Sequence, residues 1–163
     1  MSKSVCMHES ERNLRTKEIR RLVFAQSDMA QAAVAAEYLL QEHVNGDLCR
    51  ALETAIVVCY ARPFAGGNNA GILGEDWYPI DPAHRAMHDK LRDLRDQVFA
   101  HNDITDKRGI VDAGAMLGLP GSFAEEWMPL NREALPTLIQ MCAAQRAQFS
   151  ERVDELQAEL NQG

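Results

Sequence analysis

The chain has 163 residues, the size of one ordinary domain, and its apolar fraction of 46% and charged fraction of 25% are typical of a globular protein. The formal net charge of −7 argues against a large non-specific nucleic-acid surface, because phosphate contacts need clustered Lys and Arg. No apolar run approaches the roughly 20 residues that span a bilayer, and residues 1–15 lack the apolar segment of a secretory signal. We therefore expect a cytoplasmic protein without membrane contact.

Hydrophobic periodicity predicts an all-α fold, an up-and-down helical bundle of four to five helices with two long irregular loops. Residues 1–16 are expected to form a flexible tail, and residues 17–163 a single domain. The first helix is predicted to begin at Ser27 or Asp28, either of which can act as N-cap, and to end near His43. Upstream, residues 17–25 form either an extra helical turn or an extended arm.

Asn45-Gly46 predicts a turn, and Asp47 is a suitable N-cap for a second helix that ends near Tyr60. This helix is apolar around much of its circumference, which predicts that it is the central and most buried one. Residues 61–80, rich in Gly, Pro and Asn, form the first long loop. Such a loop is either functional or a surface excursion packed by Phe64, Trp77 and Tyr78.

The third helix has the clearest start signal, because Asp81 is a good N-cap and Pro82 stands at the first helical position. We expect it to continue to about Ala100 with one apolar stripe formed by Met87, Leu91, Leu94 and Val98. Residues 102–130, with four glycines, form the second irregular region.

The last helix is predicted from Asn131 or Pro136 to Leu160. Its apolar stripe begins at Leu135, Leu138, Ile139 and Cys142 and continues in heptad style with Phe149, Val153, Leu156 and Leu160. The heptad-like end of this helix is one that could pair with another chain.

The end of the third helix carries the chemistry-bearing residues Arg95 and His101. His101 lies three residues after Val98 and continues the apolar stripe, whereas Arg95 lies about 120° away on an ideal helix. Both therefore border one groove, where a phosphate could meet both side chains. Histidine can move the proton of a ribose 2′-hydroxyl near neutral pH, and arginine can hold a phosphate through two donors, so neither a metal nor a cofactor is required.

This segment resembles the HEPN superfamily, whose hallmark is an Arg, usually followed by a polar residue, and a His four to six residues beyond. Here five residues separate Arg95 from His101, and the polar residue is Asp96. Ala100-His101-Asn102-Asp103 is similar to the helix end common in the family. Tyr60-Ala61-Arg62-Pro63-Phe64 and Trp77-Tyr78-Pro79 look like an abortive-infection branch. The resemblance covers about residues 25–160.

The resemblance implies a helical bundle that forms a homodimer, with two Arg–His motifs across a shared cleft. Many such proteins are metal-independent endoribonucleases in phage defence, toxin–antitoxin or RNA-processing systems. By position, Arg95 and His101 would be the catalytic pair and Asp96 would orient them. Other members bind RNA or a nucleotide without cutting, so the alternative function is a non-catalytic module that binds RNA, a nucleotide or a protein partner such as an antitoxin.

His88, Arg92 and Arg95 form a positive strip on the third helix that could hold RNA or pair with the neighbouring aspartates. With Asn102 and Arg62, the residues His88 and Arg92 are the expected RNA contacts. The bland alternative is that His101 is a helix C-terminal histidine favoured by the helix dipole and that Arg95 is a solvated side chain.

The sequence gives little support for a metal site, a redox-active cysteine pair, a nucleotide-binding loop or a serine hydrolase. His84 and His88 stand four apart, but His-Glu-x-x-His is missing and Arg85 lies between them, so a solvated face is expected and a metal site is not. The cysteines are Cys6, Cys49, Cys59 and Cys142, and their spacing forms no Cys-x-x-Cys pair, which predicts reduced, buried thiols. The glycines form neither a P-loop nor a Gly-x-Gly-x-x-Gly motif, and Gly-x-Ser-x-Gly does not occur.

Overall fold

A computed structural model describes residues 9–42, 44, 46–65, 71–99 and 130–162. These residues form four long helices: α1 (Glu9–Gln41), α2 (Gly46–Ala61), α3 (Pro82–Phe99) and α4 (Leu135–Gln162). Three short 3₁₀ turns accompany them at Arg62–Phe64, Glu75–Trp77 and Arg132–Ala134. The predicted all-α bundle is confirmed. No helix in these ranges is long and apolar enough to cross a membrane.

Helix α1 is one continuous 33-residue helix, longer than the sequence predicted. Residues 17–25 are helical, and so are residues 9–16, which had been assigned to a flexible tail. The predicted start at Ser27 or Asp28 is wrong, because Asp28 lies in mid-helix and is buried. Its carboxylate Oδ1 accepts a hydrogen bond from Arg62 Nη1 at 2.6 Å instead of capping a helix.

The most extensive packing in the described chain joins α1 to α4, not α2 to its neighbours, so the prediction that α2 is the central helix is wrong. The two long helices are antiparallel. Arg15 pairs with Glu159 at 3.1 Å and Glu18 with Arg152 at 3.2 Å, while Arg132 Nη2, just before α4, donates to the Leu40 carbonyl at the other end of α1. Helix α2 packs on α1, and α3 packs on α2 and α4.

The apolar stripe of α4 is buried within the chain, as the periodicity predicted. Its buried members include Leu135, Leu138, Cys142, Phe149, Val153 and Leu156. The heptad-like end of this helix therefore packs inside the bundle, beside the ion pairs with α1. Those residues are not the exposed seam for a second chain that the sequence suggested.

The connection from α2 to α3 is packed down by its aromatic residues, as expected for a surface excursion. Phe64 and Tyr78 are buried, and the ring of Trp77 lies 5.5 Å from that of Phe149 on α4. The Leu73 amide donates to the Pro63 carbonyl at 2.8 Å and ties the two sides of the loop together. The second predicted loop lies almost wholly outside the described residues.

The core also contains polar groups. Glu53 on α2 is 4% exposed, and burial raises the pKa of its carboxyl to about 7. Gln145 on α4 is 3% exposed, and its side-chain carbonyl accepts no hydrogen bond from the described residues. Cys59 and Cys142 are buried free thiols and Cys49 is half-buried. Burial raises the pKa of all three thiols, which keeps them protonated.

Candidate functional site on the third helix

The start of α3 fixes the register of every candidate residue on it. Asp81 Oδ1 accepts hydrogen bonds from the Ala83 and His84 amides, both at 3.0 Å, which confirms the predicted N-cap. These bonds, chiefly the one from His84, lower the pKa of the Asp81 carboxyl, because they stabilise its ionised form. The helix then runs without a break from Pro82 to Phe99, two residues before His101.

His88 lies in the core, so the prediction that it occupies a solvated face is wrong. Its Nδ1 is 2.9 Å from the Tyr60 hydroxyl, and the rings of Phe64 and Tyr78 pack against the imidazole. Burial, with a further contribution from Arg92, lowers the pKa of His88 to about 4. The neutral imidazole is therefore a structural group beneath the helix surface, and it is removed from the expected set of RNA contacts.

The sequence did contain a signal for this burial. His88 follows Met87 and precedes Leu91 by three residues, so it lies beside the apolar stripe of α3. The charged residues Asp89 and Lys90 follow it directly, and this pattern favoured a solvated face over a buried histidine. Its ring nitrogen Nε2 finds no hydrogen-bond partner among the described residues, a cost that the surrounding aromatic packing must offset.

Tyr78 connects the loop to the surface of α3 in a way that the sequence did not reveal. Its hydroxyl accepts a hydrogen bond from Arg92 Nη1 at 2.7 Å, and the guanidinium carbons of Arg85 and Arg92 lie 4.8 and 5.1 Å from its ring centroid. These contacts hold the Arg92 side chain in one orientation above the buried His88. An arginine fixed in this way loses little side-chain entropy when it binds a phosphate.

Arg95 lies one turn beyond Arg92 and is half-buried. Its Nη1 donates to Asp96 Oδ1 at 2.8 Å, and the two side chains are 33% and 62% exposed. The structure thus brings together two residues of the sequence motif, Arg95 and the adjacent Asp96. The other two motif residues, His101 and Asn102, lie outside the described residues, and their distance from Arg95 stays a prediction.

Arg62, the remaining expected RNA contact, is engaged elsewhere. It is part of the 3₁₀ turn after α2, and its guanidinium pairs with the buried Asp28 of α1 rather than with any residue of α3. Its side chain is still 45% exposed. The pair is chiefly a tie between α1 and the end of α2.

The described surface of α3 therefore offers arginine donors but few other reactive groups. Within the described ranges, no cluster of three or more His, Cys, Asp or Glu side chains is arranged to hold a metal ion. Arg92 and Arg95 lie three residues apart on this helix, and each guanidinium has donors from which an oxyanion could accept hydrogen bonds. Comparison with known proteins finds no family model, no curated protein and no solved structure that matches the chain.

Proposed function

We propose that the protein is a metal-independent endoribonuclease of the HEPN type, acting as a homodimer in the cytoplasm, in phage defence or in a toxin–antitoxin system. Arg95 holds the scissile phosphate, His101 is the general acid–base, and Asp96 orients them. Arg92 and Asn102 contact the RNA backbone. The proposal rests on the sequence resemblance and on one structural observation.

That observation is the pair of arginines on the last turns of α3. Arg92 is oriented by Tyr78 and Arg95 by Asp96, and both precede His101 in the sequence. Guanidinium groups suit a phosphate that gains negative charge in the transition state. In the proposed mechanism, His101 supplies the proton transfer that such a reaction needs.

The reaction can be written without a metal. The ribose 2′-oxygen attacks the adjacent phosphorus while its proton passes to a base. The bond from phosphorus to the 5′-oxygen breaks, and that oxygen takes up a proton. The products carry a 2′,3′-cyclic phosphate and a 5′-hydroxyl. His101 handles one of the two proton transfers, and Arg95 stabilises the charge that accumulates on the phosphoryl oxygens.

The decisive experiment measures cleavage of single-stranded and structured RNA in excess EDTA and identifies the ends of the products. We expect cyclic phosphates from the wild type and a loss of about 10²–10⁴-fold in His101→Ala, the usual contribution of a general acid–base. Arg95→Lys should also lose cleavage activity, because the point charge of lysine does not reproduce the two-donor fork of arginine.

Two matched variants serve as controls. His84→Ala removes the half-buried histidine in the first turn of α3 but keeps the backbone amide that bonds to Asp81. Arg12→Lys makes the same exchange as Arg95→Lys at an exposed position of α1. Both should cleave like the wild type. Full activity in His101→Ala, or loss of wild-type activity in EDTA, rejects the mechanism. RNA binding without any cleavage points instead to the non-catalytic module.

A further inference from the structure

The first part of α1 is strongly basic, although the chain as a whole is acidic. Positions 12–24 hold five basic residues and one acidic residue, a surplus of four positive charges in a chain whose net charge is −7. The five basic residues are Arg12, Arg15, Lys17, Arg20 and Arg21. A local charge surplus of this sign attracts an anionic partner.

An exposed aromatic residue, Phe24, lies among these basic side chains and is 53% exposed. Lys17, Arg20 and Arg21 precede it by seven, four and three residues, spacings that place them on its side of the helix. Lys17 and Arg20 are exposed, and neither forms an ion pair within the part of the chain that the structure describes. The ring of Phe24 is therefore accessible to solvent beside cationic groups.

A fourth cation reaches this surface from a distant part of the chain. Arg62 binds the carboxylate of Asp28, which lies one turn after Phe24 on α1, at 2.6 Å. The Arg62 side chain is 45% exposed and remains accessible to a ligand. Asp28 offsets one positive charge, so the four cations around Phe24 keep a surplus of three.

The loop before α3 places Arg21 near Arg62. Arg21 Nη1 donates to the Ile72 carbonyl at 3.4 Å, and the amide of the next residue, Leu73, donates to the Pro63 carbonyl at 2.8 Å. Pro63 directly follows Arg62 in the 3₁₀ turn. Helix α1, the turn and the loop thus build one surface, which we call the Phe24 patch. Its members are Lys17, Arg20, Arg21, Phe24 and Arg62.

We propose that the Phe24 patch binds single-stranded RNA, with its cationic groups on the phosphates and one unpaired base stacked on Phe24. Basic side chains around an accessible aromatic ring are the combination by which proteins hold single-stranded nucleic acid. The next two residues on this side of α1, Ser27 and Gln31, are exposed and polar. A helix that lies on a lipid bilayer would continue there with apolar residues, so the surface favours RNA over an anionic membrane.

The Phe24 patch is separate from the candidate site on α3. Helix α1 packs on α2 and α4, whereas Arg92 and Arg95 belong to α3. The choice of RNA rather than DNA rests on the proposed function, but binding at the patch requires no cleavage. The patch also gives Arg62 a place among RNA contacts, as the sequence predicted, although on another surface.

The first test measures binding of a fluorescent single-stranded 2′-O-methyl RNA of about 12 nucleotides to the full chain by anisotropy at low salt. The blocked 2′-oxygen prevents the proposed cleavage, so the assay reports binding alone. Arg20→Glu and Phe24→Ala should each weaken binding about tenfold, through a lost phosphate contact and a lost base stack.

Two matched variants serve as controls for this test. Arg146→Glu makes the same charge exchange at an exposed position of α4, and Leu48→Ala truncates an apolar residue of α2 that is 52% exposed. Both should bind like the wild type. Absence of binding by the wild type overturns the proposal, as does wild-type affinity in either Arg20→Glu or Phe24→Ala. Equal losses in Arg146→Glu and Arg20→Glu also overturn it, because net charge would then govern binding.

The second test separates single-stranded RNA from other anionic partners. A duplex of the same sequence should bind several-fold more weakly, because its bases are stacked on one another and cannot reach Phe24. The wild type should not sediment with vesicles of phosphatidylcholine and phosphatidylserine. Equal affinity for the duplex, or vesicle binding that Phe24→Ala abolishes, rejects the proposal.

The outcome for the Phe24 patch is distinguishable from the outcome for the proposed ribonuclease. RNA binding that depends on Phe24, in a protein that cleaves no RNA, rejects the ribonuclease and retains the patch. RNA cleavage by the wild type, together with RNA binding that Phe24→Ala leaves unchanged, retains the ribonuclease and rejects the patch.

Discussion

At the scale of single residues, Arg62 shows how a surface-accessible arginine can have a structural role. Its guanidinium supplies the partner of a carboxylate that is only 8% exposed, 34 positions earlier in the chain. Burial raises the pKa of Asp28 even though Arg62 opposes that shift. The ionised carboxylate is therefore tolerated in the core only because the arginine is there.

Removal of Arg62 should consequently destabilise the fold. We expect Arg62→Met to lower the free energy of unfolding by about 1–3 kcal/mol, the cost of an unpaired buried polar group, as measured by urea denaturation. The loss should grow as the pH rises, because the folded state then has to hold an unpaired carboxylate.

Two further variants separate this effect from the loss of an arginine alone. Arg85→Met breaks an exposed ion pair with Asp89 and a contact with Tyr78, and it should cost less than about 1 kcal/mol. Asp28→Ala combined with Arg62→Met removes both partners and should recover part of the stability lost in Arg62→Met. No recovery in that double variant would show that Arg62 stabilises the fold through other contacts.

At the scale of elements, the start of α3 is set by its N-cap. Asp81→Ala should lower the urea midpoint of unfolding, because the Ala83 and His84 amides lose their acceptor. Asp81→Asn should retain most of the stability, since the amide oxygen can still accept. Asp93→Ala, an exposed substitution within the same helix, should leave the midpoint unchanged or raise it slightly. If Asp81→Ala has the same urea midpoint as the wild type, the Asp81 cap does not stabilise the fold.

The sequence was sufficient where the determinants are local. The Asp81-Pro82 start and the stripe of α4 depend on neighbours within one or two turns, and both are confirmed. Prediction from the sequence failed where a residue distant in the chain determines the local structure. Asp28 has the chemistry of an N-cap, but Arg62 binds it, and α1 runs on through that position. His88 stands among charged residues, yet Tyr60 from α2 holds it in the core.

The candidate site also contains contacts that the sequence predicts and contacts that it does not. Adjacent residues such as Arg95 and Asp96 can be paired from the sequence, and the structure brings them together. The support of Arg92 by Tyr78 depends on how the loop folds back over α3, which periodicity does not encode.

At the scale of the whole molecule, two buried groups give the stability opposite dependences on pH. The pKa of Glu53 rises from 4.5 to about 7 on folding, so its folded state holds a proton that the unfolded state has lost in that range. Its contribution is present at low pH and is lost as the pH rises from 4.5 to 7. The pKa of His88 falls from 6.5 to about 4, so the unfolded state holds the extra proton. Its contribution is present above pH 6.5 and is lost as the pH falls towards 4.

These two contributions should nearly cancel between pH 4.5 and 6.5, and single variants should expose them. Relative to the wild type, Glu53→Gln should give a free energy of unfolding that rises with pH, by up to about 1.4 kcal/mol per unit, because only the His88 contribution remains. His88→Phe keeps an aromatic ring between Phe64 and Tyr78. Relative to the wild type, it should give a free energy of unfolding that falls as the pH rises, because only the Glu53 contribution remains. The double variant should return to the wild-type shape, since all other titrating groups are common to the four proteins. Chemical denaturation of all four across this range measures the slopes, and slopes of the same sign in the two single variants would contradict the opposed burial of a carboxyl and an imidazole in one core.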